Sequence, residues 1–201
     1  MRKFRLKRIF DFCLSFWGLV FFTPLLLVVG LFVKLGSRGP ILYVSSRVGQ
    51  NGRLFNILKF RTMTVGADKE SEGSVTIRGD RRVTTIGFYL RKFKLDELPS
   101  LINVLKGEMS FVGPRPDVPG YADKILGNDR RILLLKPGIT GPATLKYANE
   151  EELLAKVDDP QKYNDEIIFP DKVKINIEYL DNWSLLIDLK IILKTVFRTN
   201  Y

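Results

Sequence analysis

The chain has 201 residues, 45% of them hydrophobic, with a formal net charge of +10, no histidine and one cysteine, Cys13. That length allows one domain with a real core. The composition excludes Ser-His-Asp and Cys-His nucleophile sites, His- or Cys-based zinc centres and any intrachain disulfide. An enzyme so composed works with carboxylates, Lys, Arg, hydroxyls and a hard cation such as magnesium.

Residues 1–38 carry seven Lys and Arg against Asp11 alone, so basic charge brackets the most apolar part of the chain. A basic protein suits nucleic acid or an anionic membrane surface, and this placement favours the membrane. From residue 12 to 33 the sequence FCLSFWGLVFFTPLLLVVGLFV holds no charge. As a helix it reaches ~33 Å, about the thickness of the bilayer core. No small-residue cleavage site follows, which argues against a secretory signal. Thr23 and Pro24 lie at its middle, where proline removes a helix hydrogen bond and a hydroxyl such as that of Thr23 can cap the freed groups. Basic residues flank both ends, so charge asymmetry sets no orientation. The residues leave two readings equally open: a spanning helix, and a re-entrant one broken at Thr23-Pro24 with both flanks cytoplasmic.

The remainder reads as one domain without repeats. Residues 41–63 predict a β-hairpin around Gln50-Asn51-Gly52, Asn-Gly being a strong turn signal. Residues 65–82 are polar and glycine-bearing, hence a surface loop. Ile86, Tyr89, Leu90 and Phe93 give residues 86–92 one apolar helical face. A helix is predicted from Asp96, as N-cap, with Pro99 in its first turn and Gly107 at its end. FVGPRPDVPG and LKPGITGPA read as proline-fixed loops and residues 150–157 as a short acidic helix. Residues 173–197 read as one amphipathic helix suited to core packing or a membrane interface.

Within KLDELPS (residues 94–100), Asp96 and Glu97 sit side by side behind a basic run. Adjacent helix positions point ~100° apart, so both carboxylates can reach one cleft. A magnesium ion shared with substrate phosphates relieves their repulsion, and a helix start offers free amides to a phosphate. An ionised carboxylate is a nucleophile without a histidine to activate it. Without its surroundings the pair reads as a cap and a solvated acid. Lys59 and Arg61 alternate along the KFRTM strand and are expected on one face. Arg91 lies five residues before Asp96, and Arg115 sits between two prolines that limit its freedom. Arginine suits bidentate phosphate contact.

KFRTM (residues 59–63), LRKFKLDELPSLINVLKGEMSFVGPRP (90–116), KPGITGPA (136–143) and NWSLLIDLKIILKT (182–195) follow in this order behind the membrane segment. Together they resemble the bacterial sugar transferases, the monotopic polyprenyl-phosphate phosphoglycosyl transferases. The resemblance implies an α+β, membrane-associated fold. It consists of a re-entrant helix over residues 1–36 and a cytoplasmic catalytic domain over 37–201, mostly helical with a small hairpin and interface helices. It implies transfer of a sugar-1-phosphate from a UDP-sugar to undecaprenyl phosphate on the cytoplasmic face of the bacterial inner membrane, releasing UMP, with magnesium required. On it Asp96 is the nucleophile and Glu97 the metal-linked partner. Arg91 falls near the phosphates and Arg115 near the nucleotide; Lys59 and, less so, Arg61 are phosphate candidates from their place on the strand. Glu108 matches an acidic position without an assigned job. Nucleic acid is not an expected partner, and a homodimer is compatible with the pattern. One departure stands out: after KPGITG the family's Trp-rich or Gln-bearing stretch and Asn-Gly-Arg are replaced by PATLKYANEEELL, in a region expected to face the sugar. A membrane-anchored adaptor is the rival; it explains charge and anchor but not the dyad beside Arg91.

Overall fold

The computed structural model describes residues 2–67 and 80–197; most of the predicted polar loop at 65–82 lies outside them. Helix α1 (Arg2–Gly36) is one run of 35 residues, ~50 Å long at 1.5 Å per residue. By length and composition it is long and apolar enough to cross a membrane. The helix does not stop at Thr23-Pro24. Proline there removes only the bond that Val20 would have received, and the Thr23 hydroxyl donates to the Leu19 carbonyl at 2.6 Å.

One face of α1 lies against the domain along most of its length. Lys7, Asp11 and Ser15 are buried near its start, and Val29 and Val33 near its end. Their spacings of four and fourteen residues, one turn and about four turns, mark a single helical stripe. The opposite face is bare and apolar, with Trp17, Phe21, Leu27 and Leu35 each 66–77% exposed.

Strands β1 (Leu42–Val48) and β2 (Leu54–Phe60) pair antiparallel, from Leu42 opposite Phe60 to Val48 opposite Leu54. The predicted turn is present: Asn51 and Gly52 have φ of 59° and 76°, the region that Asn and Gly tolerate. Helix α2 (Thr85–Lys92) starts where Thr84 accepts from the Gly87 amide. It buries Leu90 against Phe60, Val29 and Val33, but leaves Phe88, Tyr89 and Phe93 more than half exposed. Its apolar face is therefore only partly core.

The helix expected from Asp96 begins differently. Residues Leu95–Ser100 form a 3-10 turn, and helix α3 (Leu101–Lys106) follows. Asp96 is not an N-cap; that position falls on Lys94, left-handed at φ 58°, and no side chain caps it. Pro99 has no amide and keeps Leu98 away from regular α geometry, which favours the tighter turn. Gly107, at φ 89°, ends α3 as predicted.

The two proline-fixed loops each hide a three-residue strand. β3 (Ser110–Val112) and β4 (Gly138–Thr140) pair in parallel. A Cβ on Gly113 would meet the Lys136 carbonyl oxygen at 2.2 Å, and one on Gly138 would meet the Gly113 amide nitrogen at 2.2 Å. The glycines of FVGPRP and KPGITG let these backbones approach, and the Gly138 amide then holds the Pro114 carbonyl at 2.7 Å. Arg115 thus hangs from an anchored loop.

Helices α4 (Pro142–Lys146), α5 (Glu150–Leu154) and α6 (Pro160–Tyr163) follow, the second shorter than predicted. The single C-terminal helix is in fact two, α7 (Phe169–Asn182) and α8 (Leu185–Val196). Ser184 breaks the run by accepting from the Ile187 amide, an N-cap. Val112, Leu135, Leu145, Tyr179, Trp183 and Ile191 pack where α7, α8 and β3 meet. A row on α8, Leu186, Leu193, Val196 and Phe197, stays exposed.

Candidate active site

Asp96 and Glu97 sit in the 3-10 turn, which packs against β2 and α2. The Lys59 ammonium reaches Glu97 Oε1 at 2.7 Å, and the Arg115 guanidinium lies 3.7 Å from the same oxygen. Burial alone would lift the Glu97 pKa, but Lys59 and Arg115 outweigh it and hold the carboxyl down at about 2. Asp96 is shifted the other way. Burial and the neighbouring Glu97 charge raise its pKa, and Lys59 and Arg91 only partly offset them. Asp96 Oδ1 is buried without a hydrogen-bond partner. Buried polar atoms are rarely left so, and an orphaned carboxylate oxygen beside the Lys59–Glu97–Arg115 cluster is a candidate for contact with a ligand.

A cleft open to solvent, with about 400 Å³ of empty space, is lined by Lys59, Glu97, Ser100 and Arg115 together with Gly138 and Ile139 of β4. Arg91 approaches from α2, its Nε donating to the buried Thr62 hydroxyl at 3.0 Å. Four of the five expected cations and carboxylates around Asp96 are therefore brought together: Glu97, Lys59, Arg91 and Arg115.

Arg61 is not among them. Its guanidinium donates to the carbonyls of Ser37 and Arg38 and to the Ser37 hydroxyl, at the C-terminus of α1. A cation there neutralises the negative end of a helix, so Arg61 tethers the long helix to the hairpin.

Glu108 gains a place. Asn103 is fully buried, and its Oδ1 accepts from the Leu58 amide while Nδ2 donates to the Asn56 carbonyl and to Glu108 Oε2. The amide thus acts like a neighbouring strand on the free edge of β2, one residue from Lys59. Glu108 fixes which way the amide faces. Glu108→Ala should cost about 1.5–3 kcal/mol, the worth of a hydrogen bond to a charged group, read as a fall in melting temperature, with Glu108→Gln recovering most of it. Only the acid itself was legible in the sequence; its link to Asn103 was not.

A divalent cation fits the dyad only in part-protein form. Among the described residues no three acidic side chains cluster as a metal cage. Two adjacent carboxylates, one with an unpartnered oxygen, match the way magnesium uses one or two protein carboxylates and takes its other oxygens from phosphates and water.

The chain matches the bacterial sugar transferase family over residues 2–200. It is 38% identical over 202 residues to the undecaprenyl-phosphate glucose phosphotransferase of Komagataeibacter xylinus, covering 96% of this chain and 35% of that protein. It is 34% identical over 204 residues to the exopolysaccharide production protein ExoY of Sinorhizobium fredii, covering 94% of this chain and 83% of that one. A third relative is the UDP-N-acetylgalactosamine-undecaprenyl-phosphate N-acetylgalactosaminephosphotransferase of Aeromonas hydrophila, 34% identical over 95% of this chain and 43% of its own length. The chain thus spans well under half of the first and third relatives and most of the second. On this evidence of residues, order and extent, the chain belongs to the bacterial sugar transferase family.

Proposed function

We propose that this chain transfers a sugar-1-phosphate from a UDP-sugar to undecaprenyl phosphate on the cytoplasmic membrane face, releasing UMP and starting assembly of a glycoconjugate. The observation that carries the reading is the buried, unpartnered Asp96 oxygen beside a Glu97 already neutralised by Lys59 and Arg115. Asp96 attacks the β-phosphorus of the donor. A carboxylate oxygen bonds to that phosphorus as its bond to the bridging oxygen breaks, and UMP leaves with that oxygen. A phosphate oxygen of undecaprenyl phosphate then attacks the same phosphorus, and Asp96 departs as a free carboxylate. Neither step needs a base, which suits a chain without histidine. Lys59, Arg91 and Arg115 hold the phosphates and meet the charge that develops on them. When bound, magnesium would be held by Asp96 and Glu97 and would supply further neutralisation of the pyrophosphate.

The anchor supports the same reading. Both ends of α1 pack on one domain: Phe4 stacks on Trp183, and Val33 packs with Phe60 and Leu90. A helix that crossed the bilayer would carry one end away from a domain confined to the cytoplasm. In α1 both ends stay with the domain although the helix is unbroken at Thr23-Pro24, so the domain contacts, not that break, keep the chain on one face. The exposed apolar residues of α1, α2 and α8 would then meet lipid, where the acceptor resides. A cysteine near residue 3, in a Cys13→Ala background, should stay unlabelled by an impermeant thiol reagent in intact cells. Labelling there while the domain stays protected would show a spanning helix.

The enzymatic test is UMP release from a panel of UDP-sugars with undecaprenyl phosphate. Activity should vanish in EDTA and return with magnesium. An adaptor would release no UMP under any condition, and full activity in EDTA would remove the metal from the scheme.

A further inference from the structure

Of the three cations around Asp96, Lys59 leaves a paired strand and Arg115 an anchored loop. Arg91 leaves the last turn of α2, a helix of eight residues. An arginine gives up much rotamer freedom when it is held in one place, so a site that depends on one needs a second group to hold it.

That group lies under α2. Residues 62–64 run antiparallel beside 82–84: the Thr84 amide donates to the Thr62 carbonyl at 2.9 Å, Met63 bridges Val83, and the Thr64 amide donates to the Arg82 carbonyl at 2.9 Å. The Thr84 hydroxyl, which also caps α2, meets the same Thr62 carbonyl at 3.3 Å. Gly87 lets the helix sit this close, since a Cβ there would meet the Thr62 carbonyl oxygen at 2.0 Å. Glycine inside a helix costs stability against alanine, and here it has a second use. Helical side chains lean back toward the residue four before them, so Arg91 runs toward position 87, where no side chain stands in its way. It ends with Nε donating to the Thr62 hydroxyl at 3.0 Å, and Thr62 is only 7% exposed.

Two carboxylates lie within electrostatic reach of Arg91, Asp80 and Asp96. Asp80 is already engaged by Arg82, whose Nε reaches its two oxygens at 2.9 and 3.0 Å. A guanidinium free to swing would still divide its time between them. We propose that Thr62 is a positioning residue for the transfer: its hydroxyl, held under α2, fixes Arg91 Nε so that the guanidinium stands ready beside Asp96 for the donor's phosphates. A donor placed beforehand costs no reorganisation when charge develops. The proposal rests on the transferase reading for the identity of those phosphates.

The test compares wild type, Thr62→Val, Thr62→Ala, Thr62→Ser, Arg91→Ala and the Thr62→Val/Arg91→Ala double variant, as full chains in detergent. For each, kcat and KM of UMP release are measured, and the dissociation constant of UDP is measured without turnover. Thr62→Val keeps the shape and removes the acceptor. It should lower kcat about tenfold and weaken UDP about fivefold, within the worth of one hydrogen bond to a charged group. Thr62→Ala gives a second reading of the lost hydroxyl and should match it. Thr62→Ser keeps the hydroxyl and should stay within threefold of wild type. With residue 91 already Ala, Thr62→Val should change neither quantity more than twofold, because residues acting through one another are not additive. A threonine that served folding alone would reduce the amount of active enzyme and leave KM and UDP affinity unmoved. That pattern would overturn the proposal, as would losses that multiply in the double variant or a Thr62→Ser as damaged as Thr62→Val. A wild type that binds UDP but releases UMP from no UDP-sugar overturns the transferase reading alone, and the affinities then judge Thr62. A wild type that binds no UDP overturns both.

Discussion

Asp96→Asn is expected to lower turnover by roughly 10⁴-fold or more, and to abolish any sugar-phosphate adduct on the peptide containing residue 96. Asn is close to isosteric, so the variant removes the charge and the nucleophile without opening a cavity. The wild-type adduct should form with UDP-sugar alone, because UMP leaves before the acceptor enters, and mass spectrometry reads it directly. Stability separates chemistry from folding. The folded state raises the Asp96 pKa, chiefly by burial. Ionised Asp96 therefore penalises the fold, and the penalty is relieved as pH falls through that raised pKa. Asp96→Asn should melt no lower than wild type at pH 7 in EDTA.

Glu97 has the opposite sign. Its folded pKa of about 2 lies below the ordinary glutamate value of 4.5, so its stabilisation is complete above 4.5 and is lost as pH falls toward 2. Glu97→Gln should thus cost about 2–3 kcal/mol at pH 7, the order that such a shift sets. Two adjacent carboxylates with opposite effects on melting would separate a nucleophile from its clamp. Substantial turnover by Asp96→Asn, or kinetics requiring both substrates bound before UMP leaves, would instead assign the attack to the polyprenyl phosphate.

What could be read from the sequence was local. The hairpin followed from Asn51-Gly52, and α2 from its period. The dyad and its cations followed from charge placed beside prolines. What failed was register and pairing at a distance. Alternation placed Arg61 on the face of Lys59, but β2 ends at Phe60, so the rule stops one residue short. β3 and β4 are three residues each, too short for any period to show, and their pairing joins segments more than two dozen residues apart. The join between α7 and α8 is hidden because apolar residues continue on both sides of Ser184. The signal was the Asn-Trp-Ser sequence, where a serine precedes a fresh apolar run. In α1 the apolar residues drew attention to the lipid-facing side. At its start, the residues that bind the domain are the polar ones on the other face, Lys7, Asp11 and Ser15.

Those polar residues carry the largest expected effect on stability. Lys7 and Asp188 form a buried ion pair at 2.5 Å, from α1 to α8. Asp188 also accepts from the Tyr179 hydroxyl at 2.5 Å and from Trp183 Nε1 at 3.1 Å. The two partners are therefore not equivalent. Lys7→Met leaves Asp188 with two donors and a buried charge. Asp188→Leu removes the carboxylate that accepts from an ammonium, a phenol and an indole N–H, leaving Lys7 Nζ only the neutral Tyr179 hydroxyl at 3.2 Å. Breaking a buried pair from one side costs about 3–5 kcal/mol, and Asp188→Leu should fall at or above the top of that range, with Lys7→Met at or below its bottom. The double variant should be less damaged than Asp188→Leu alone, because it removes the stranded charge and leaves only two neutral donors. Melting in a lipid nanodisc ranks the three. The same variants test what the pair is for: if it pins the start of α1 to the domain, Asp188→Leu should expose a cysteine near residue 3 to protease-free labelling in detergent, while labels on α2 stay unchanged. Equal losses from the two single variants would mean that Tyr179 and Trp183 find other partners, and a double variant worse than Asp188→Leu would show that the charges are not the issue.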